Sequence, residues 1–122
     1  MEPQNMIDRQ LIFEITDGNQ DLFDQMMELF VQISPDQLKL IRCTWEAADY
    51  HALRAAAHDV KSSASSIGGT ILYESALQLE QSAKMKLDLT QILPMIIDVE
   101  DKVEKTISFY RDGKVTFDPD DL

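Results

Sequence analysis

Basic residues are scarce in this 122-residue chain. Its 11 Lys and Arg stand against 22 Asp and Glu, a formal net charge of -11. Nucleic-acid binders present a basic stripe to the phosphate backbone, so this balance speaks against that class, and it disfavours anionic membrane surfaces too. Cysteine occurs once, at Cys43. No internal disulfide can form, and a reducing cytoplasm is the expected compartment. No apolar run approaches the roughly 18 residues of a membrane-spanning helix. The opening Met1-Glu2-Pro3-Gln4 has neither the basic nor the apolar block of a signal peptide. There is no glycine-rich phosphate loop of the Walker or kinase kind and no nucleophile elbow. Glycine and proline are rare, 4 of each, while 44% of residues are hydrophobic. That composition and length predict one compact domain burying about 65% of its unfolded surface.

What is present is helical periodicity. Residues 1–6 read as a loose arm. Ile7 to Ile15 carries apolar residues at helical spacing, and Asp17-Gly18-Asn19 is a turn cluster. Asn19 or Asp21 is placed to cap a second helix, in which Phe23, Met26, Met27, Phe30 and Ile33 recur. Ser34-Pro35 interrupts or kinks that pattern. It resumes at Leu38, Ile41 and Trp45, so either two helices abut or one long helix bends; Trp45 and Phe30 read as core or partner-facing residues. Asp49 is placed to cap a helix from Tyr50 to Ser66, with Leu53, Ala56 or Ala57, Val60, Ala64 and Ile67 inward. Gly68-Gly69 ends it. Thr70 is the expected cap of the next helix, with Ile71 or Leu72, Ala76, Leu79 and Ala83 buried. After a polar break at residues 84–88, Thr90 starts the last helix, its regular part delayed by Pro94. Ile92, Ile96, Val99, Val103, Ile107 and Tyr110 keep its period to Asp112-Gly113, and the acidic run over 98–104 reads as its solvated face. The expected fold is all-α: an antiparallel four-helix bundle over 7–113 with a short extra N-terminal helix, and a frayed acidic tail at 114–122.

The chemistry concentrates at Ala57-His58-Asp59-Val60-Lys61-Ser62-Ser63-Ala64-Ser65-Ser66-Ile67-Gly68-Gly69. On a helix, positions three and four apart are neighbours. His58 therefore stands beside Lys61 and Ser62, and the small residues leave the imidazole clear of its own helix. Neutral imidazole, with an ordinary pKa of about 6.5, is a nitrogen nucleophile at cellular pH. If it attacks a phosphoryl group, the lysine can stabilise the charge on the oxygens, and hydroxyls at Ser62, Ser65 and Ser66 can add hydrogen bonds. A lone helical histidine is usually structural, and a lone lysine is usually solvated; the combination argues otherwise. His51 lacks such surroundings and reads as a surface residue. With His58 it makes only a weak metal site, so no metal is expected.

This segment resembles the histidine-phosphotransfer (HPt) domain of multistep two-component phosphorelays. That family's pattern is roughly His-x-x-Lys-Gly-small-small-x-x-aliphatic-Gly, with a Leu-Glu pair one helix later. The chain matches it with His58, Lys61, Ser63, Ala64, Ile67, Gly68 and Leu79-Glu80. Asp49, Leu53 and Ala57 resemble the family's entry into its histidine helix, and Phe23, Met27 and Phe30 its first bundle helix; the likeness covers about residues 8–112. It departs at Ser62, where the family has glycine, leaving slightly less room beside the ring.

The resemblance implies one long, bent helix across Pro35. It implies a phosphoryl group carried on His58, taken from the aspartate of one response-regulator receiver domain and passed to another, with a hybrid sensor histidine kinase upstream. Mg²⁺ is then expected on the receiver and no cofactor on this chain, which should not make phosphohistidine from ATP itself. Glu80 matches a side chain that orients the imidazole, although Glu80 and Lys84 at four-residue spacing also fit a routine exposed pair. Lys61, with Lys84 one turn beyond Glu80, supplies phosphoryl electrostatics. Ser62, Ser65, Gly68 and Gly69 govern access and packing. Exposed apolar residues at Ile12, Ile15 and Phe23 are the expected receiver-docking surface, and docking is expected to be transient with the protein a monomer. The initial methionine and single-domain length favour a stand-alone protein over a domain of a hybrid or chemotaxis-type kinase. A non-phosphorylated helical adaptor that only binds receivers or kinases is the alternative from another class, and a metal- or haem-binding bundle a third.

Overall fold

The computed structural model describes residues 5–113 and 115–117. Five helices follow in order: α1 Arg9–Thr16, α2 Gln20–Glu46, α3 Tyr50–Ser66, α4 Thr70–Lys84 and α5 Leu89–Arg111. The described residues contain no strand. Helices α2 to α5 form the antiparallel bundle, each packed on the next and α5 closing against α2, while the short α1 lies against α2.

Most helices begin where the sequence supplies an acceptor. The side chains of Asp8, Asn19 and Asp49 accept hydrogen bonds from the N–H groups of Leu11, Leu22 and Ala52, satisfying donors that a helix start leaves without partners. Asn19, not Asp21, is therefore the cap of α2. Two starts differ from expectation. Gly69, not Thr70, precedes α4, with no side-chain cap; Gly68, at φ +70°, reverses the chain one residue early. Helix α5 begins at Leu89 and contains Pro94. The missing proline N–H deprives only the carbonyl of Thr90, an exposed residue. Helix α2 is likewise continuous through Pro35. That proline is exposed, and the Ser34 hydroxyl donates to the Phe30 carbonyl beside it. At about 1.5 Å per residue α2 is roughly 40 Å long.

The predicted apolar stripes form one core. Both Ala56 and Ala57 are buried, as is Leu72 rather than Ile71. Trp45 and Tyr50 pack against this core and donate to the carbonyls of Leu89 and Leu87, each at 2.9 Å, tying α2 and α3 to the start of α5. Arg42 grips Glu100 through two hydrogen bonds of 2.8 and 2.7 Å between α2 and α5. The acidic face of α5 is laced by pairs of Lys102 with Asp98 and Lys105 with Asp101.

Both ends depart from expectation. Met6, at the inner end of the predicted arm, is buried beside Ile7, because the Asp8 N–H donates to the Gly68 carbonyl at 2.8 Å and draws the segment onto the α3–α4 turn. Residues 1–4 lie outside the described residues. The tail is not frayed at 115–117. Val115 is buried. Phe117 meets Phe13 edge to face at 5.5 Å and lies 5.7 Å from Phe23. Its N–H donates to Gln20 at 2.8 Å, and the Arg9 guanidinium donates to the Thr116 carbonyl at 2.6 and 3.0 Å. The apolar Val-x-Phe pair outweighs the acidic composition around it. Residues 114 and 118–122 of the predicted tail lie outside the described residues. Phe117→Ala should lower stability by about 1–2 kcal/mol, seen as a lower urea midpoint at unchanged slope.

Candidate functional site

Helix α3 carries alanine at 56, 57 and 64 on its buried side. Such small side chains let α4 approach closely, and that approach places Glu80 of α4 beside His58 of α3. The Glu80 carboxylate is shared. One oxygen lies 2.6 Å from His58 Nδ1 and the other accepts from Lys61 Nζ at 2.9 Å. A carboxylate can only accept, so Nδ1 carries the hydrogen, and the neutral ring keeps its lone pair on Nε2. The imidazole side chain is 57% exposed, whereas those of Lys61 and Glu80 are 17% and 14% exposed. The ring is thus open to solvent while its two partners are largely sequestered. Partial burial pushes the Glu80 carboxyl up, but the hydrogen bonds from Lys61 and then His58 outweigh it and hold it below its ordinary value.

The structure brings together His58, Lys61 and Glu80. Glu80 does not pair with Lys84; its partners are His58 and Lys61, and Lys84 is exposed one turn further along α4. Ser62 and Ser65 are exposed on the histidine side of α3, and the Ser66 hydroxyl is turned back to the Ser62 carbonyl at 3.1 Å. Gly68 and Gly69 are buried. A Cβ at Gly68 would stand 3.2 Å from the Asp8 carbonyl oxygen and 3.5 Å from the Ile12 Cβ. Its lack of a side chain therefore admits the start of α1 as well as the left-handed turn.

Of the three predicted docking residues, only Ile15 is accessible, at 50%. Ile12 and Phe23 are fully buried core residues, because α1 lies on α2 with that side inward and Phe117 covers Phe23. On α1 and the first half of α2 the exposed large apolar residues are instead Leu11, Ile15, Leu22 and Leu29; Leu40, Met85 and Ile97 are exposed elsewhere on the bundle. Leu29 joins half-buried Met26 and Ile33 along a groove of about 140 Å³ between α2 and α3, floored by Phe30 and Ile67 and edged by Ser63 and Ser66. The helical repeat of Phe23, Met26, Met27, Phe30 and Ile33 runs buried and half-buried residues together. The signal was there: Leu22, Met26, Leu29 and Ile33 make a second stripe at spacings of four, three and four, wider than one buried face requires. Gln37, also missed, donates from α2 to the Ser63 hydroxyl at 3.0 Å and joins the two helices at the end of this groove.

The lowered Glu80 value has a definite sign for stability. Its contribution is fully present above the ordinary carboxylate value of 4.5 and is lost as pH falls through the lower folded-state value. In urea titrations, the stability difference between wild type and Glu80→Gln should therefore be largest near neutral pH and shrink on acidification.

Comparison with known proteins agrees with this geometry. The profile of the Hpt domain family matches residues 25–106, more than half of the chain. The chain is 26% identical over 107 residues to chemotaxis protein CheA of Salmonella typhimurium; the match covers 83% of this chain but only 16% of that protein. Two solved structures share the fold. Histidine-containing phosphotransfer protein B of Pseudomonas aeruginosa superposes with a TM-score of 0.81 at 22% identity, covering 91% of this chain and 96% of that one. The HPT domain of a sensor hybrid histidine kinase from Shewanella gives 0.74 at 14% identity, covering 88% and 92%. With a shared helical fold, a family match across the bundle and a solvent-facing histidine at its centre, the chain belongs to the Hpt domain family.

Proposed function

We propose that this protein carries a phosphoryl group on Nε2 of His58, receiving it from the aspartyl phosphate of one receiver domain and passing it to another. The observation that carries this reading is the 2.6 Å contact of Nδ1 with Glu80 on an otherwise exposed ring. The Nε2 lone pair attacks phosphorus, the P–O bond to the receiver aspartate breaks, and the aspartate leaves as a carboxylate. The Nδ1 hydrogen stays in place, so the ring becomes cationic, and the adjacent Glu80 carboxylate stabilises that charge. The role parallels that of the buried aspartate behind a triad histidine. Lys61 fixes the other carboxylate oxygen and adds positive potential, with Lys84 nearby on α4. Mg²⁺ is supplied by the receiver, and this chain acts as a carrier without turnover of its own.

Docking falls to the exposed apolar residues of α1 and α2. The groove at Leu29, Met26 and Ile33 borders Ser63 and Ser66 of α3, and the Ser66 hydroxyl bonds the carbonyl of Ser62, one turn on from His58. A receiver seated there covers the imidazole, and the limited apolar area suits a transient contact. No helix among the described residues is long and apolar enough to cross a membrane, and we place the exchange in the cytoplasm. The CheA match, which spans a small part of that protein, favours a second reading in which the same His58 is charged within a larger kinase.

Radiolabelled phosphoryl transfer separates these readings. A receiver domain charged with acetyl phosphate should label wild type and leave His58→Gln unlabelled. Retained receiver binding without label on wild type would instead mark an adaptor, and label arising only from a kinase and ATP would favour the kinase-domain reading. Leu29→Asp should raise the receiver concentration for half-maximal transfer about tenfold, with the helical content of the protein unchanged.

A further inference from the structure

The site as described is short of positive charge once loaded. A phosphoryl group brings about two negative charges near neutral pH, and Glu80 adds another. The cationic ring and Lys61 offset two of these, and Lys61 is already committed to Glu80 at 2.9 Å. The remaining charge sits in a chain whose net charge is already -11.

Arg54 stands four residues before His58 on α3 and is exposed. Positions four apart share a helix face. Side chains on a helix lean toward its N-terminus, so the His58 ring is inclined toward the turn that holds Arg54. Nothing on its own helix competes for the guanidinium: the residues three and four away are Tyr50, His51, Ala57 and His58. It forms no side-chain hydrogen bond or ion pair with another described residue. In the antiparallel α3–α4 pair, one turn back from His58 is level with one turn onward from Glu80, where α4 carries Lys84. The nearest acidic residue in sequence to His58, Asp59, is about 100° further round α3.

We infer that Arg54 binds the phosphoryl oxygens on His58 and is a catalytic residue of the transfer, its guanidinium supplying the charge that Lys61 spends on Glu80. The planar fork of donors suits phosphoryl oxygens better than a point charge does. This inference rests on the proposed carrier role of His58, and the experiment keeps the two apart.

The test uses the full chain and a receiver domain charged with acetyl phosphate, with transfer rates measured as a function of receiver concentration for wild type, Arg54→Ala and Arg54→Lys. Arg54→Ala should lower the rate at saturating receiver about tenfold, less than the ~100-fold cost of removing a buried oxyanion donor. The concentration for half-saturation should stay near wild type, and Arg54→Lys should recover part of the loss. Unchanged thermal unfolding of both variants accompanies this result, since the exposed side chain makes no hydrogen bond or ion pair with another described residue. An unaltered saturating rate, with or without a shift in half-saturation, would overturn the assignment; the shift alone would make Arg54 a docking contact. Absence of label on wild type would overturn the carrier reading and Arg54's role together.

Discussion

One carboxylate organises this protein. Glu80 reaches from α4 to hold both the imidazole of His58 and the ammonium of Lys61 on α3. Because the carboxylate accepts and cannot donate, it decides which ring nitrogen keeps its hydrogen and leaves the lone pair on the other. Lys61 in turn stops the carboxylate from rotating away. The arrangement works only if α3 and α4 pack closely, and the alanines along α3 allow that. Removing the carboxylate leaves the histidine exposed but without a defined tautomer or orientation.

The bundle serves this contact from a distance. The Gly68 turn fixes the register between α3 and α4, and its absent side chain makes room for Asp8 and Ile12 of α1. Helix α1 is thereby pinned at the α3–α4 turn by the Asp8–Gly68 hydrogen bond while also lying on α2. Gln37 joins α2 to α3 near the groove. The rigid elements thus hold the His58 imidazole on a helix of the bundle, with an apolar groove between α2 and α3. Rigid placement suits the carrier role proposed for His58, in which a receiver closes over the ring and brings the remaining chemistry.

Much of this was legible in the chain. The span of α3, its cap at Asp49 and its inward stripe all follow from period and capping chemistry, and the structure matches them. The pairing of His58 with Glu80 followed from the family likeness and not from spacing, because the two are 22 residues apart on different helices. Misreadings had local causes. Ile12 and Phe23 were read as exposed because sequence does not show which side of α1 meets α2 or that Phe117 folds back over Phe23. Residues 115–117 were read as loose because acidic neighbours masked two apolar anchors. At Pro35 the spacing leaves two abutting helices or one bent helix open, and the family likeness favours the single helix that the structure shows. Pro94 suggests a later regular start, yet α5 begins at Leu89, and both prolines lie on exposed positions where one lost hydrogen bond is tolerated.

The central claim concerns the His58 ring itself, and nitrogen-resolved NMR of the imidazole tests it most directly. With the side chain labelled in ¹⁵N and the ring neutral, the spectrum should show Nδ1 protonated and Nε2 bare, a state that Glu80→Gln disturbs. A ring that carries its hydrogen on Nε2, or that divides between the two tautomers equally in both proteins, would contradict the account.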